Sequence, residues 1–181
     1  MRVVSGKYRG LVLAEFSGSE IRPTADRVKE SLFNILFNKV FNASVLDLFC
    51  GSGNLGIECL SRGASFVQFN DISKQSLTVL QQNLKKLKGE NSYKITNFDY
   101  LICLSQANQG FDIIFIDPPY RFDFGESALS AIKKYNLLKQ DGIIVYERDV
   151  PFMQEVEGFE KYDERKYGKT YLSFFKLKGE L

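Results

Sequence analysis

One short stretch decides the fold, and it reads Val45-Leu46-Asp47-Leu48-Phe49-Cys50-Gly51-Ser52-Gly53-Asn54-Leu55-Gly56. Its first half is apolar and suits a buried strand, and its glycines have the spacing G-x-G-x-x-G. Glycine lets the backbone turn sharply and lie close to a ligand, while the free N–H groups of a following helix point to the same place. The stretch therefore predicts a strand, a ligand-binding turn and a helix that begins near Asn54.

The alternation of strand and helix continues along the chain. Strands are predicted at 44–49, 66–70, 93–96, 112–116 and 143–146, and helices at 100–105 and 126–135. A longer helix is predicted from a Ser73 cap, through the apolar stripe of Leu77, Leu80, Leu84 and Leu87, to Gly89. Such alternation is typical of an α/β fold with a mostly parallel sheet covered by helices.

Both ends of the chain depart from this pattern. Residues 2–5 and 11–14 are joined by a short basic and aromatic turn, which predicts a β-hairpin. Pro23 then opens an amphipathic helix, with Thr24 or Asp26 as its candidate N-cap. Near the end, 161–166 and 170–177 are too close for a helical crossover and should form an antiparallel hairpin. We expect residues 1–20 to be an N-terminal β-hairpin extension and residues 21–181 a single domain.

The composition excludes several classes of site. The chain has no histidine, which rules out a Ser-His-Asp triad or a Cys-His pair. Cys50, Cys59 and Cys103 have spacings unlike those of zinc or disulfide frameworks, so no metal site is predicted. Cys50 itself is interpreted as a small buried apolar residue. The first residues lack the apolar run of a secretory signal, and we expect a cytoplasmic protein with no membrane partner.

Carboxylates at strand ends suggest which cofactor binds at the glycine turn. Asp71 ends the strand that follows and could accept hydrogen bonds from both hydroxyls of a ribose. Asp47 suits an ammonium group and would repel a pyrophosphate, which favours S-adenosylmethionine over a nicotinamide dinucleotide. Asp99 could accept an adenine amine, or could simply begin a helix. The predicted cofactor-binding residues are Asp47, Gly51, Ser52, Gly53, Asn54, Asp71, Asp99 and Asp117. The alternative for the glycines is close helix packing alone.

A second motif, Asp117-Pro118-Pro119-Tyr120, follows the apolar run at 111–116. The prolines carry no N–H, so this turn offers carbonyl acceptors and suits an NH2 group. The Asp117 carboxylate and the Pro118 carbonyl could each accept one hydrogen of an exocyclic base amine, and Tyr120 could stack on the base. These residues, together with Pro119, are the predicted catalytic group. The alternative is an ordinary tight surface turn.

Two N-terminal segments carry a resemblance to a known family. They read Arg2-Val3-Val4-Ser5-Gly6-Lys7-Tyr8-Arg9-Gly10 and Arg22-Pro23-Thr24-Ala25-Asp26-Arg27-Val28-Lys29-Glu30-Ser31-Leu32-Phe33-Asn34-Ile35-Leu36. With the two motifs above, the chain resembles the bacterial RsmD family over nearly its whole length. The resemblance implies a Rossmann-like class I S-adenosylmethionine methyltransferase with a seven-stranded sheet. It also implies methylation of N2 of a guanine in 16S ribosomal RNA.

The resemblance also implies an RNA-binding role for Lys7, Arg9, Arg22 and Arg27, and base stacking by the tyrosine of the hairpin. The structural alternative for the last two arginines is capping and ion pairing. Two positions depart from the family pattern: Asp71 stands where glutamate is frequent, and Lys169 stands where aspartate is usual.

Other functions remain open on the sequence alone. A DNA adenine or cytosine amino-methyltransferase would also use an Asp-Pro-Pro-Tyr motif to bind a base amine. The chain has no evident extra domain for reading a duplex, which argues against this function. A NAD-dependent oxidoreductase would share the glycine turn, and a non-catalytic RNA-binding protein would share the basic residues. The predicted partner is 16S ribosomal RNA, free or in a partly assembled small subunit, bound by a monomer.

Overall fold

A seven-stranded sheet forms the centre of the protein, a computed structural model of which describes residues 1–15, 23–118 and 124–179. The strands are β1 (Ser44–Asp47), β2 (Phe66–Asn70), β3 (Tyr93–Thr96), β4 (Phe111–Ile116), β5 (Leu138–Arg148), β6 (Phe159–Tyr167) and β7 (Thr170–Leu177). Their order is β3-β2-β1-β4-β5-β7-β6. The first five strands pair in parallel, and β7 runs antiparallel to both β5 and β6. The predicted mostly parallel sheet with a C-terminal antiparallel hairpin is confirmed.

The helices are α1 (Pro23–Ile35), α2 (Asn54–Ser61), α3 (Lys74–Leu84), α4 (Tyr100–Ser105) and α5 (Gly125–Lys134). In the described ranges, no helix combines the length and apolar character needed to cross a membrane. Because α1 begins at Pro23, where the fixed φ of proline suits the first helical position, neither Thr24 nor Asp26 is its N-cap, and that prediction was wrong.

The long helix α3 has the predicted start but an earlier end. The Ser73 side chain accepts a hydrogen bond from the backbone N–H of Ser76, as expected of an N-cap. The helix ends at Leu84, because from Lys86 onward the N–H groups bond to carbonyls three residues back: Leu87 N–H donates to the Leu84 carbonyl over 3.0 Å. Leu87 therefore lies beyond the helix, and its expected place in it was wrong. Gly89 has the expected left-handed conformation, with φ of 82°, but the helix ends before it.

Successive residues of the central strands belong alternately to two apolar layers, one on each face of the sheet. Val45, Ile113 and Phe115 belong to one layer, whereas Leu46 and Ile114 belong to the other. Both faces of β1 and β4 are buried, as expected for parallel strands covered by helices. The cavity described below opens at the carboxyl edge of these strands, where ligands bind in open α/β sheets.

Two glycines of the decisive stretch permit close packing of α2. A Cβ atom at Gly56 would lie 2.2 Å from the Phe69 ring, and one at Gly53 would lie 2.3 Å from a methyl carbon of Leu80. Gly53 also has φ of 86°, a conformation that side chains with a Cβ rarely adopt. These two glycines therefore fix α2 against β2 and α3, so the packing alternative for the glycine motif applies to them.

The N-terminal residues form the expected hairpin pairing. Val3 N–H donates to the Leu11 carbonyl over 2.9 Å, and Arg2 bridges Val12 in antiparallel fashion. Val3 and Leu13 are buried in the same apolar layer as the central strands. Tyr8 is buried as well, with its hydroxyl donating to the Lys88 carbonyl over 2.7 Å. The expected stacking of this tyrosine on RNA bases was therefore wrong.

A buried carboxylate links the N-terminal hairpin to the helices. Glu58 of α2 accepts hydrogen bonds from the backbone N–H groups of Val4 and Ser5, over 2.8 and 3.0 Å. Its oxygens also contact the Lys29 ammonium at 3.4 Å and the Arg62 guanidinium at 2.8 Å. Both Glu58 and Lys29 are almost fully buried. A single carboxylate thus joins the hairpin, α1 and α2.

Replacing Glu58 with glutamine removes the charge of this carboxylate at nearly constant size. The buried Lys29 ammonium then loses the Glu58 charge beside it, and breaking a buried ion pair from one side costs about 3 to 5 kcal/mol. We expect Glu58→Gln to lower the free energy of unfolding by about 3 kcal/mol, measured by urea unfolding with circular dichroism.

Glu160→Gln is the matched control for this substitution. Glu160 pairs with Lys176 over 3.3 Å, but both side chains are about half exposed. Exposed ion pairs contribute about 0 to 1 kcal/mol, so the control should change stability little. Equal effects of the two substitutions would show that the buried carboxylate is not what joins these elements.

Candidate functional site

A cavity of about 1050 Å³ opens at the carboxyl ends of β1, β2, β4 and β5. This volume is at the upper end of the range for small-molecule sites, roughly 300 to 1000 Å³, and leaves room for a ligand in two parts. Of the predicted site residues, Asp47, Gly51, Ser52, Asn54, Asp71, Asp99, Asp117 and Pro118 border it. Gly53 lies behind them against Leu80. Pro119, Tyr120 and Arg22 lie outside the described residues.

The first glycine of the motif meets the cavity directly. Gly51 has φ of 52°, and a Cβ atom built there would have nothing within 4 Å. Its N–H donates to Oδ2 of Asp71 over 2.9 Å. The backbone at Gly51 is therefore open to a ligand, in contrast to the closely packed Gly53 and Gly56.

The Asp71 carboxylate is held in place by backbone donors. Oδ2 accepts the N–H of Gly51, and Oδ1 accepts the N–H of Ser73 over 2.8 Å. The Asn97 side chain also donates to the backbone carbonyl of Asp71 over 2.8 Å. Each carboxylate oxygen can accept more than one hydrogen bond, so both remain able to receive a hydroxyl from the cavity.

Asp47 is an acid buried beneath the cavity at the end of β1. Oδ2 accepts the backbone N–H of Gly56 over 2.9 Å. Burial raises the pKa of Asp47 to about 7, the Gly56 hydrogen bond lowers it, and the charge of Asp71 raises it. A cationic ligand group would offset the cost of this buried charge. The Asp47 carboxylate therefore suits an ammonium group.

Asp99 begins a helix, which is one of the two roles considered for it. Its side chain caps α4 by accepting the N–H of Leu101 over 2.9 Å, and it also borders the cavity. Phe49, Tyr100 and Phe124 lie on the same wall, with ring centroids of Tyr100 and Phe124 4.9 Å apart. This side of the cavity thus offers an apolar aromatic surface beside a carboxylate.

The second motif borders the same cavity as Asp71. Asp117 follows β4 directly and borders the cavity together with buried Pro118. Burial raises the pKa of the Asp117 carboxyl well above its usual range, and the nearby charges of Glu147 and Asp47 raise it further. The structure therefore brings the proline turn and the glycine turn to one cavity.

Several residues that border the cavity were missed from the sequence. Glu147 ends the apolar run of β5, and the turn from Tyr167 to Thr170 lies near it. An acid that closes a predicted strand is the signal that identified Asp47 and Asp71, and it could have identified Glu147. Lys29 also borders the cavity and donates to Asn54 Oδ1 over 2.8 Å. A lysine inside an amphipathic helix carries no comparable signal.

Cys50 borders the cavity but is not a nucleophile. Burial raises the pKa of its thiol, and the charges of Asp47 and Asp71 raise it further. The thiol therefore stays protonated at neutral pH, and the interpretation of Cys50 as a small buried residue is confirmed.

The predicted RNA-binding residues that are described lie on the surface away from the cavity wall. Lys7 and Arg9 are exposed on the hairpin turn, and Arg27 is exposed on α1. The turn packs on the segment after α3, because Tyr8 bonds to Lys88 and Asn91. This contact adds basic residues that the sequence did not suggest: Lys85, Lys86 and Lys88, all exposed.

The chain is similar to known proteins over most of its length. The family model described as "Conserved hypothetical protein 95" matches residues 1–176. "Ribosomal RNA small subunit methyltransferase D" of Haemophilus influenzae is 39% identical over 82% of this chain and 79% of its own length. The protein of the same name in Escherichia coli strain K12 is 33% identical over 83% of this chain and 75% of its own.

Solved structures show the same similarity. The structure called "Putative methyltransferase yhhF" from Escherichia coli superposes with a TM-score of 0.88 and 30% identity, over 99% of both chains. With the family model and these relatives, the fold and the two motifs show that the chain belongs to the RsmD family.

Proposed function

We propose that the protein transfers a methyl group from S-adenosylmethionine to the exocyclic N2 amine of a guanine in 16S ribosomal RNA. One observation carries the proposal: Asp117 and Pro118 border the same cavity as Asp47, Gly51 and Asp71. The relatives named small subunit ribosomal RNA methyltransferases support the choice of RNA. The RNA is the substrate either free or within a partly assembled small subunit.

The residues of β1 and β2 suit the separate parts of this cofactor. Asp47 would bind the ammonium of the methionine part, and Asp71 would accept hydrogen bonds from the ribose hydroxyls. Asp99 would accept the adenine amine beside the aromatic wall. Open space at Gly51 lets the cofactor lie against the backbone. When bound, the cofactor supplies a methyl group on a positively charged sulfonium.

The second motif prepares the amine that receives this methyl group. The lone pair of a base amine is delocalised into the ring, which makes the nitrogen a poor nucleophile. If the Asp117 carboxylate accepts one N–H and the Pro118 carbonyl the other, the nitrogen becomes more tetrahedral and its lone pair can point at the methyl carbon. As the new C–N bond forms, a proton leaves the nitrogen, either to the Asp117 carboxylate or to water.

The basic surface of the hairpin turn suits the RNA backbone. Lys7, Arg9 and the lysines after α3 place positive charge on one exposed surface. Phosphate contacts of this kind position an RNA without reading its sequence. Met1 and Glu15, the described ends of the hairpin segment, border the cavity, so the hairpin extends from its basic turn to the edge of the cavity.

Asp117→Asn tests the amine-binding step. The amide keeps the size of the carboxylate but loses the charge that draws on the N–H and can take the proton. We expect the rate of tritiated methyl transfer to small-subunit ribosomal RNA to fall by about a hundredfold or more. Cofactor affinity, measured by calorimetry, should change by less than about threefold, because Asp47 and Asp71 hold the cofactor.

Asp112→Asn is the matched control for that variant. Asp112 lies on the same strand as Asp117 but at its amino end, where it accepts the Ser44 N–H over 2.8 Å. An amide oxygen can replace that acceptor, and methyl transfer should stay close to wild type. Wild-type rates in both variants would show that Asp117 does not bind the reacting amine.

Asp47 makes cofactor binding depend on pH. Its pKa of about 7 in the empty cavity means that the carboxyl is largely protonated at lower pH and cannot pair with an ammonium. Cofactor affinity should therefore rise about tenfold between a pH of about 5.5 and about 7, a range in which the cofactor ammonium stays protonated. Calorimetry across this range measures the effect.

Asp47→Asn should bind the cofactor more weakly and with little dependence on pH. Because the folded-state pKa of Asp47 is raised, its contribution to stability is lost as pH rises through about 7. The ligand-free variant should accordingly unfold at a higher temperature than wild type above that pH, which also shows that it is folded. An unchanged pH profile of binding in this variant would mean that another group binds the ammonium.

A further inference from the structure

Glu147 lies beside the amine-binding residue and has no part in the steps described above. Parallel pairing of β4 with β5 sets Ile116 opposite Tyr146, so the next residues along the two strands, Asp117 and Glu147, are neighbours. Strands in a sheet lie about 4.8 Å apart. Both side chains border the cavity, and the charge of Glu147 raises the pKa of Asp117. The two carboxylates are therefore placed to contact one ligand.

The two side chains also point to the same face of the sheet. Phe115 and Val145 are opposite each other and belong to one apolar layer. Because side chains alternate along a strand, the residues two positions further, Asp117 and Glu147, continue on that face. A flat base whose amine is bound at Asp117 would present the neighbouring atom of its ring to Glu147.

We propose that Glu147 accepts the N1–H of the target base and so makes the cavity specific for guanine. The inference rests on the proposed function, in which Asp117 binds the N2 amine. Only guanine places a ring N–H next to its exocyclic amine. In adenine the ring atom beside the amine is N1, and in cytosine it is N3, and both are acceptors.

If adenine or cytosine were bound, the Glu147 carboxylate would face an acceptor nitrogen of the ring. It would then have no hydrogen bond from the base, and the two acceptors would repel each other. A site whose buried polar group is left unpaired rejects the wrong ligand strongly, whereas a merely apolar pocket discriminates weakly. Asp117 with Glu147 thus forms a pair of acceptors that matches the paired donors of guanine. The same residues disfavour the amines of adenine and cytosine, which Asp117 and Pro118 alone would accept.

The decisive probe is 2-aminopurine, which keeps the amine at C2 but has an unprotonated N1. Wild-type protein first identifies the methylated guanine in small-subunit ribosomal RNA, and a second RNA then carries 2-aminopurine at that position. We expect wild type to methylate the guanine RNA with a kcat/KM roughly a hundredfold higher than that for the 2-aminopurine RNA.

Glu147→Gln should narrow this ratio. The glutamine amide can accept from N1–H or donate to an unprotonated N1, so we expect the preference for guanine to fall by about tenfold or more. Glu147→Asp, which keeps the carboxylate, should retain a preference for guanine at a lower rate. Glu160→Gln on the exposed side of the C-terminal hairpin should behave as wild type.

The possible failures can be told apart. A Glu147→Gln protein with the wild-type preference, or one that is folded and inactive on both RNAs, overturns this inference and leaves the proposed function standing. Wild-type protein that binds S-adenosylmethionine but methylates no guanine overturns the proposed function, and this inference with it. Thermal unfolding of each variant confirms that it is folded.

Discussion

Parallel pairing of β1, β4 and β5 is the constraint on which the site depends. It brings Asp47, Asp117 and Glu147 to one cavity at the carboxyl edge of the sheet. Burial raises the pKa values of Asp47 and Asp117, and the like charges of neighbouring carboxylates raise them further, so ionising these acids in the empty cavity has a free-energy cost. A cationic cofactor group and a base that presents hydrogen-bond donors would both reduce it. On charge and hydrogen bonding alone, the cavity therefore favours ligands that are cationic or that present hydrogen-bond donors.

The glycine turn sets where the cofactor can lie relative to those acids. Gly53 and Gly56 allow α2 to pack against Leu80 and Phe69, which fixes the start of that helix. Gly51 then faces open space, and its N–H orients the Asp71 carboxylate across the cavity. Within this motif, Gly53 and Gly56 thus permit close helix packing, and Gly51 leaves the backbone open to a ligand. Packing and binding are not alternatives here, because close packing of the helix is what holds the open glycine in position.

Local patterns predicted the parts of the structure that local forces determine. Apolar runs identified the central strands, and the acid closing each run identified Asp47, Asp71 and Asp117. Contacts between distant segments could not be found this way. Asp117 and Glu147 are adjacent because of the strand order and register, and a single apolar run in the sequence does not determine either. The burial of Tyr8 likewise depends on residues far along the chain.

Both strands of the N-terminal hairpin are held against the domain by polar contacts. Asn83 of α3 accepts the Ala14 N–H over 2.6 Å and donates to the carbonyls of Ala14 and Ser52, each over 3.0 Å. Glu58 holds the other strand of the hairpin against α2. The open end of the hairpin, at Ala14, is therefore joined through Asn83 to the glycine turn. Transfer of a methyl group requires the amine and the methyl carbon to meet within a small tolerance. If the hairpin binds the RNA as proposed, its contacts with Asn83 and Glu58 hold it at a fixed distance from the glycine turn, whereas a flexible tether would not.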